Sequence, residues 1–237
     1  IDKSAWDAEQ VGYLPRLYNT LVTTPTGVSK LLTELTEQVG FFLFWDEVNS
    51  LIKFQTIRPN SLSETVHELN TTKHLLADSV KMRDIVDDRV NEVWVYYGII
   101  DSTKNLTEDS NYSNLYIASN VDDQSQVQNR DVRIKKIQSR WILDRAAAIE
   151  LGSRYLERFA KAPIEADFAL DAKDSNIALA DFVQIDSPQY QDFSGSPLAI
   201  LLQVVKRTEK QTGTTWAFTA RQFAFGGATF VNNVVYI

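Results

Sequence analysis

The succession of strand-like segments from residue 164 onward is the feature that most limits what this chain can fold into. Residues 164–170 alternate apolar and polar side chains over their first five positions, as a half-buried strand does. Apolar and β-branched residues predict further strands at 177–185, 198–207, 214–225 and 229–237. Many successive strands with few helices favour a barrel or a sandwich and argue against a doubly wound fold.

Two of these segments form a predicted hairpin, because the polar residues 209–213 connect strand 198–207 to strand 214–225. Trp216 and Phe218 are at even positions, whereas Phe223 and Phe225 are at odd positions, so a regular strand would point the two pairs to opposite faces. This change predicts a β-bulge near Arg221 and Gln222.

One long helix precedes the strands, at about residues 144–160. Asp144 can cap its N-terminus and Pro163 limits its C-terminus. One face of the helix is apolar, through Ala148, Leu151, Gly152, Tyr155 and Phe159. Upstream of the helix, residues 93–100 and 132–137 are predicted strands, and residues 101–131 form a polar excursion with one short strand at 115–118.

The first 90 residues have a different organisation. Residues 28–39 carry apolar side chains at helical spacing, with Thr26 as a candidate cap and Gly40 at the position of a left-handed stop. Residues 41–45 and 51–57 then predict a β-hairpin, and residues 61–90 read as irregular or partly helical.

We therefore expect a β-rich α+β fold with two units. Residues 1–90 form a small helix–hairpin α/β unit, and residues 91–237 form a barrel- or sandwich-like unit with one long helix.

Composition excludes several kinds of chemistry. The chain has no cysteine, which removes disulfides, thiolate metal sites and cysteine nucleophiles. His67 and His74 are seven residues apart, which matches no compact metal motif, so surface or capping roles are expected for both. The net charge of −7 offers no broad basic surface for gripping nucleic acid.

Targeting signals are equally absent from the sequence. No run of about 18 apolar residues occurs, and residues 1–6 lack the basic and apolar regions of a signal peptide. We expect a soluble chain without a membrane-spanning segment, and the first residue, Ile1, suggests a fragment or a processed product.

No motif for nucleotide binding or hydrolysis is present. Adjacent glycines occur only at Gly226 and Gly227, and residues 194–197 read as a turn rather than a nucleophile elbow. Three acidic pairs could in principle bind calcium or cleave a glycosidic bond: Asp87 with Asp88, Asp122 with Asp123, and Asp171 with Asp174. None repeats a full calcium-loop pattern, and residues 171–176 lie between two strands, where Asp and Asn are ordinary turn residues. The sequence thus nominates no catalytic, cofactor-binding or metal-binding residue.

Four tryptophans, Trp45, Trp94, Trp141 and Trp216, could form a sugar-stacking or protein-binding surface. Each lies in or beside a predicted strand with apolar neighbours, which favours core packing.

Three segments resemble phage tail hub proteins, the family that includes the baseplate hub of contractile tails and the hub of type VI secretion spikes. They are the helix and hairpin of residues 27–54, the strand and helix of residues 132–163, and residues 177–185. In the family the last segment has a Gly-Asp turn before a valine-rich strand, whereas here Ala180 replaces the glycine.

The resemblance implies a non-enzymatic structural protein of the phage or prophage virion, with a tube domain that assembles as a homotrimer. Such a hub would join the tail tube to the tip and surround the path of DNA or tape measure. Its partners would be itself, distal tail or tube proteins and tip or fibre proteins, with DNA as passing cargo and no cofactor. It would be made in the bacterial cytoplasm and end in the tail tip.

Two other functions stay open from the sequence. A carbohydrate- or receptor-binding module would expose aromatic residues on one sheet face and could be monomeric. A glycan hydrolase would need two carboxylates facing each other across a cleft.

Overall fold

The fold is described by a computed structural model of the chain. It covers residues 1–14, 16–46, 50–57, 65–119, 132–159, 162–174, 176–191 and 194–222.

The described part of the chain contains three α-helices and eleven strands. The helices are α1 (Lys3–Tyr13), α2 (Val28–Val39) and α3 (Arg145–Phe159). The strands are β1 (Phe41–Asp46), β2 (Leu51–Thr56), β3 (Val66–Asn70), β4 (Lys81–Asp84), β5 (Glu92–Ile99), β6 (Tyr112–Ser119), β7 (Ile134–Gln138), β8 (Ile164–Asp171), β9 (Phe182–Gln191), β10 (Pro197–Gln211) and β11 (Thr215–Arg221). Among the described helices, none has the length and apolar content to cross a membrane.

The largest sheet has six strands in the order β3-β9-β10-β11-β8-β4 and curls into a half-barrel. Its pairings are antiparallel except that β3 runs parallel to β9. The inward side chains form the largest apolar cluster, in which Phe168 stacks on Phe218 with ring centres 5.3 Å apart. Burial of these alternating side chains is the main source of stability for this sheet.

A second sheet has three strands in the order β6-β5-β7 and packs against α3. Val93 and Val95 on the central strand are fully buried against Ala148 and Leu151 of the helix. Gly152 lets the helix approach closely, since a Cβ there would lie 2.9 Å from the ring of Tyr116.

The β1–β2 hairpin packs between the N-terminal helices. Val39 at the end of α2 is buried with Phe41 and Leu14, and Trp6 of α1 contacts Phe54 with ring centres 5.3 Å apart. Gly40 has φ +81°, the left-handed conformation that ends α2 and turns the chain into β1.

The fold class predicted from sequence, a β-rich α+β barrel-like protein with one long helix and a helix–hairpin unit, is confirmed. Helix α2, the β1–β2 hairpin and the Asp144 cap are as expected, with the Ala147 amide donating to Asp144 Oδ2 at 3.2 Å. The capping role of Thr26 is wrong: Gly27 is the N-cap, and the Thr26 hydroxyl donates to the Thr24 carbonyl.

Other local predictions are also wrong. Residues 61–90 contain two short edge strands, β3 and β4, and the strand expected from residue 177 starts at Phe182. The β10–β11 ladder has irregularities at residues 204–206 and 209–211 of β10. The bulge expected near Arg221 and Gln222 stays a prediction, because residues 223–225 lie outside the described residues. Helix α1 was not predicted. The strand expected at 229–237 lies outside the described residues.

The division of the chain near residue 90 stays a prediction. The six-stranded sheet takes β3 and β4 from before that residue and its other strands from after residue 163.

Candidate assembly surface

The three-stranded sheet carries apolar side chains on the face that α3 does not cover. Trp94 and Tyr96 of β5 lie opposite Ile117 and Leu115 of β6 in the ladder, and Ile134 of β7 lies on the same face. We call these five residues the outer face. Leu115, Ile117 and Ile134 are 42%, 45% and 45% exposed, Trp94 is half-buried and Tyr96 is buried, so the three aliphatic side chains are the open part of this face.

A cation lies over the aromatic rings of this face. Lys136 of β7 places its Nζ 5.4 Å from the ring centre of Trp94 and 5.8 Å from that of Tyr96. The same ammonium is 2.8 Å from Asp109 Oδ2, and the Gln138 amide donates to Asp109 Oδ1 at 2.7 Å. These hydrogen bonds lower the pKa of Asp109, and the bond to Asp109 raises the pKa of Lys136. The positive charge on the outer face is therefore balanced within the chain.

A second exposed apolar surface is formed by residues 16–23, within the segment that connects α1 to α2. We call these residues the arm. It contains no helix or strand, and Leu17, Leu21 and Val22 are 87%, 70% and 40% exposed. The arm is anchored at both ends: Arg16 Nε is 3.3 Å from Glu150 Oε2, and the Thr23 hydroxyl donates to the Ser102 carbonyl at 2.8 Å.

The arm contacts α3 at its start and the connection after β5 at its end. Ala148 faces the sheet, and Glu150, two residues on, lies about 200° around the helix, so Arg16 contacts α3 away from the sheet. Thr23 instead bonds to Ser102, which follows β5.

A buried ion network ties the six-stranded sheet together. Glu165 of β8 is 4% exposed and lies directly between Arg83 of β4 and Arg221 of β11 in the ladders. Its carboxylate accepts hydrogen bonds from Arg83 Nε at 3.0 Å and Arg221 Nε at 2.7 Å. Burial raises the pKa of Glu165, but the hydrogen bonds from the two guanidinium groups outweigh burial and leave it lowered.

A similar pair joins α2 to the loop after β7. Arg140 is 7% exposed and donates to Glu34 at 2.5 Å, while the Ser139 hydroxyl donates to Gln38 Oε1 at 2.7 Å. These bonds hold the helix–hairpin unit against the three-stranded sheet.

The two histidines are held by different partners. His67 Nε2 is 3.6 Å from Asp181 Oδ2. In the turn after β3, His74 Nδ1 accepts a hydrogen bond from the backbone N–H of Asn70 at 3.3 Å. Within the described ranges, no group of three or more metal-ligating side chains converges.

The acidic pairs are in turns or ion pairs. Lys173 Nζ lies 3.6 Å from both Asp171 and Asp174, and Asp88 is 3.8 Å from Arg221. Asp122 and Asp123 lie outside the described residues.

The prediction that the four tryptophans are core residues is wrong for Trp45, which is 57% exposed at the end of the β1–β2 hairpin beside Ile52. Trp94, Trp141 and Trp216 are half-buried. Arg207 covers the ring of Trp216, with its Cζ 4.0 Å from the ring centre. The exposed apolar residues of the arm were not singled out from the sequence.

No protein-family profile and no curated protein sequence matches the chain. Three solved structures are similar to it. The tail protein from Neisseria meningitidis MC58 superposes with a TM-score of 0.56 at 11% identity, over 92% of this chain and 67% of that one. The 43 kDa tail protein of prophage MuSo2 from Shewanella oneidensis has a TM-score of 0.49 at 11% identity, over 84% and 56%. The prophage tail protein gp18 from Listeria monocytogenes EGD-e has a TM-score of 0.45 at 11% identity, over 84% and 53%.

The chain thus spans about half to two thirds of the length of these structures. Its similarity to the Neisseria protein shows a shared fold.

Proposed function

We propose that this chain is a non-enzymatic structural protein of a phage or prophage tail, acting as a hub in the tail tip. The observation that carries the proposal is the fold shared with the Neisseria tail protein over 92% of the chain. The hub would form a homotrimeric ring that joins the tail tube to the tip. Its partners would be neighbouring tail proteins.

The surface of the chain supports an assembling protein. Leu17 and Leu21 are more than two thirds exposed, and the outer face exposes Leu115, Ile117 and Ile134 beside the half-buried ring of Trp94. Monomeric soluble proteins rarely expose contiguous apolar patches of this kind without a binding role.

Charge supports a passive path for nucleic acid. The net charge of −7 repels a DNA backbone, so DNA or a tape-measure protein passing through a ring would slide and not adhere. The mechanism would be geometric, and the proposed role requires no catalytic group. In this proposal the protein is made in the host cytoplasm and ends in the virion.

The test is the solution mass by light scattering over a concentration series, followed by electron microscopy. We expect a trimer that becomes more populated with concentration, and ring-shaped particles with a central hole. A chain that stays monomeric at the highest concentration would contradict the ring. Glycan binding by such a monomer, lost in Trp45→Ala, would favour the alternative of a carbohydrate-binding module.

A further inference from the structure

We propose that neighbouring copies exchange residues 1–18, so that the first helix of each copy docks on the next copy in the ring. We call these residues the leading segment. The inference rests on the proposed ring and names the contact that builds it. The chain itself identifies the occupant, because within one copy the leading segment already fills the surface on which it docks in the next.

The β1–β2 hairpin provides the first part of this surface. Trp6 of α1 packs on Phe54 with ring centres 5.3 Å apart, and its indole N–H donates to the Ile52 carbonyl at 3.3 Å. Further along the helix, the Glu9 carboxylate accepts hydrogen bonds from the backbone N–H and the hydroxyl of Thr56, at 3.2 Å and 2.6 Å. The contact therefore combines ring packing with directed hydrogen bonds, and α1 of either copy can make it.

A small core and an ion pair provide the rest of the surface. Leu14 is 5% exposed and packs with Val39 of α2, while Tyr18 packs against the same cluster and against that of α3. Arg16 Nε lies 3.3 Å from Glu150 Oε2 on α3. A helix of 11 residues is unstable alone in water, so α1 needs this surface, whether its own copy or a neighbour supplies it.

Residues 19–27, which we call the linker, join the leading segment to α2. They form no helix or strand, and every position except the half-buried Thr20 and Thr26 is exposed. The linker bonds to the loop after β5 through the Thr23 hydroxyl, an exposed hydrogen bond that contributes little to stability. An extended linker of this length reaches about 30 Å, the diameter of a small domain, so it can carry the leading segment to an adjacent copy.

Exposed apolar side chains favour exchange over closure within one copy. Val11 of α1 and Leu17 and Leu21 after it are 71%, 87% and 70% exposed, and none of the residues of α1 is buried. In a single copy these side chains face water. A segment that crosses to a neighbour lies along the boundary between two copies, where they are covered. Because the contacts made on the neighbour replace those lost in the original copy, this added burial decides the balance.

The exchange also closes a ring. Each copy donates one leading segment and accepts another, and the donating and accepting surfaces are different. A contact of this kind, passed in one direction around three copies, closes into a trimer, whereas reciprocal exchange between two copies would stop at a dimer.

Cross-linking at the Arg16–Glu150 contact tests the exchange, because the native chain has no cysteine. The variant carries both Arg16→Cys and Glu150→Cys, on either side of the linker, and the assembled protein is treated with a short bis-maleimide. Exchanged segments link different chains, so we expect covalent dimers and trimers on a denaturing gel. The control carries Asp109→Cys and Lys136→Cys, which replace a 2.8 Å ion pair outside the leading segment. We expect the control to link within single chains and to keep the mobility of a monomer.

The exchange and the ring fail in different ways. A trimeric ring, seen by light scattering and microscopy, in which the Arg16→Cys, Glu150→Cys chains link only within themselves would overturn the exchange and leave the ring. The same holds if only the control links, or if the control gives as many covalent dimers and trimers. A chain that stays monomeric and links only within itself overturns both proposals.

Removal of the Trp6 side chain gives a second readout. Trp6→Ala deletes the contact of α1 with Phe54, so in an exchanged ring we expect association between copies to weaken by about tenfold or more, as for an aromatic anchor of an interface. Trp45→Ala removes an exposed ring from the same hairpin and is expected to leave association unchanged. Unchanged association in Trp6→Ala would contradict the exchange. Thermal unfolding of both variants checks that they fold.

Discussion

Glu165 offers a sharp test of how the six-stranded sheet is held together. The change Glu165→Gln keeps the size of the side chain and removes its charge. Arg83 and Arg221, on the two neighbouring strands, then face each other without the carboxylate between them. The sheet should lose the attraction that joins β4, β8 and β11.

The size of the loss follows from burial. Removing one partner of a fully buried ion pair costs about 3–5 kcal/mol, whereas an exposed pair contributes about 0–1 kcal/mol. The Glu165 side chain is 5% exposed, but those of Arg83 and Arg221 are 69% and 37% exposed, and solvent screens them. We therefore expect Glu165→Gln to lower the free energy of unfolding by about 2 kcal/mol at pH 7, or to lower Tm by about 4–8 °C.

The pH dependence gives the prediction a second, independent part. Because the pKa of Glu165 is lower in the folded protein than its usual value of 4.5, its contribution is complete above that value and is lost as the pH falls through the folded pKa. The difference between the native chain and Glu165→Gln should be constant from pH 7 to about pH 5 and shrink at more acidic pH.

Urea unfolding at a series of pH values measures both parts. The control is Glu68→Gln, the same change at an exposed position on β3, which we expect to alter stability by less than about 0.5 kcal/mol. A loss from Glu165→Gln no larger than that of the control would refute the network. So would a difference between the native chain and Glu165→Gln that does not change down to pH 3.

Two further predictions concern backbone conformation and close packing, and both are measured by urea unfolding. Ala180 is buried with φ +68°, so Ala180→Gly should change stability by no more than about 0.5 kcal/mol, because relief of the left-handed strain offsets the lost methyl group. Ala166→Gly, equally buried within β8, should cost about 1.5 kcal/mol, and an equal cost at both sites would contradict this reading. Gly152→Ala should destabilise by about 1–2 kcal/mol because its Cβ would meet Tyr116, whereas Gly12→Ala in α1 meets nothing within 4 Å and should stabilise by about 0.5–1 kcal/mol. Stabilisation by both glycine replacements would show that Tyr116 moves aside freely.

The elements predicted correctly from sequence have their signals within a few residues. Helix α2 has apolar spacing along one face and Gly40 at its end, and helix α3 has Asp144 at its start. The β1–β2 hairpin has two apolar runs separated by a short polar stretch. Helix caps and apolar spacing depend only on neighbouring residues, so they can be recognised in a single sequence.

The edge strands could not be predicted in the same way. Residues 81–84 read Lys-Met-Arg-Asp and have no apolar alternation, yet they form β4 because the backbone of β8, some 80 residues later, pairs with them. Likewise β3 pairs with β9 across more than 100 residues. These strands are specified by a partner that is distant in sequence, so tertiary context decides them.

The turn before β9 depends on contacts from distant parts of the chain. Ala180 has a φ of +68°, the conformation that glycine adopts without strain. The turn is retained because its backbone is held on both sides: the Ala180 amide donates to Val204, and its carbonyl accepts from Gln203 and Gln55. These contacts come from the β10 neighbour and the hairpin, so the sequence around residue 180 does not reveal them.

The outer face was partly visible in the sequence through strand β6. Residues 115–118 read Leu-Tyr-Ile-Ala, so both faces of this strand are apolar. A sheet with a helix on one side needs apolar residues on that side only, and Tyr116 and Ala118 serve this purpose against α3. Leu115 and Ile117 add nothing to that core, and a surface covered in the proposed assembly would account for their apolar character. In that proposal, alternate residues of the same strand serve folding and assembly.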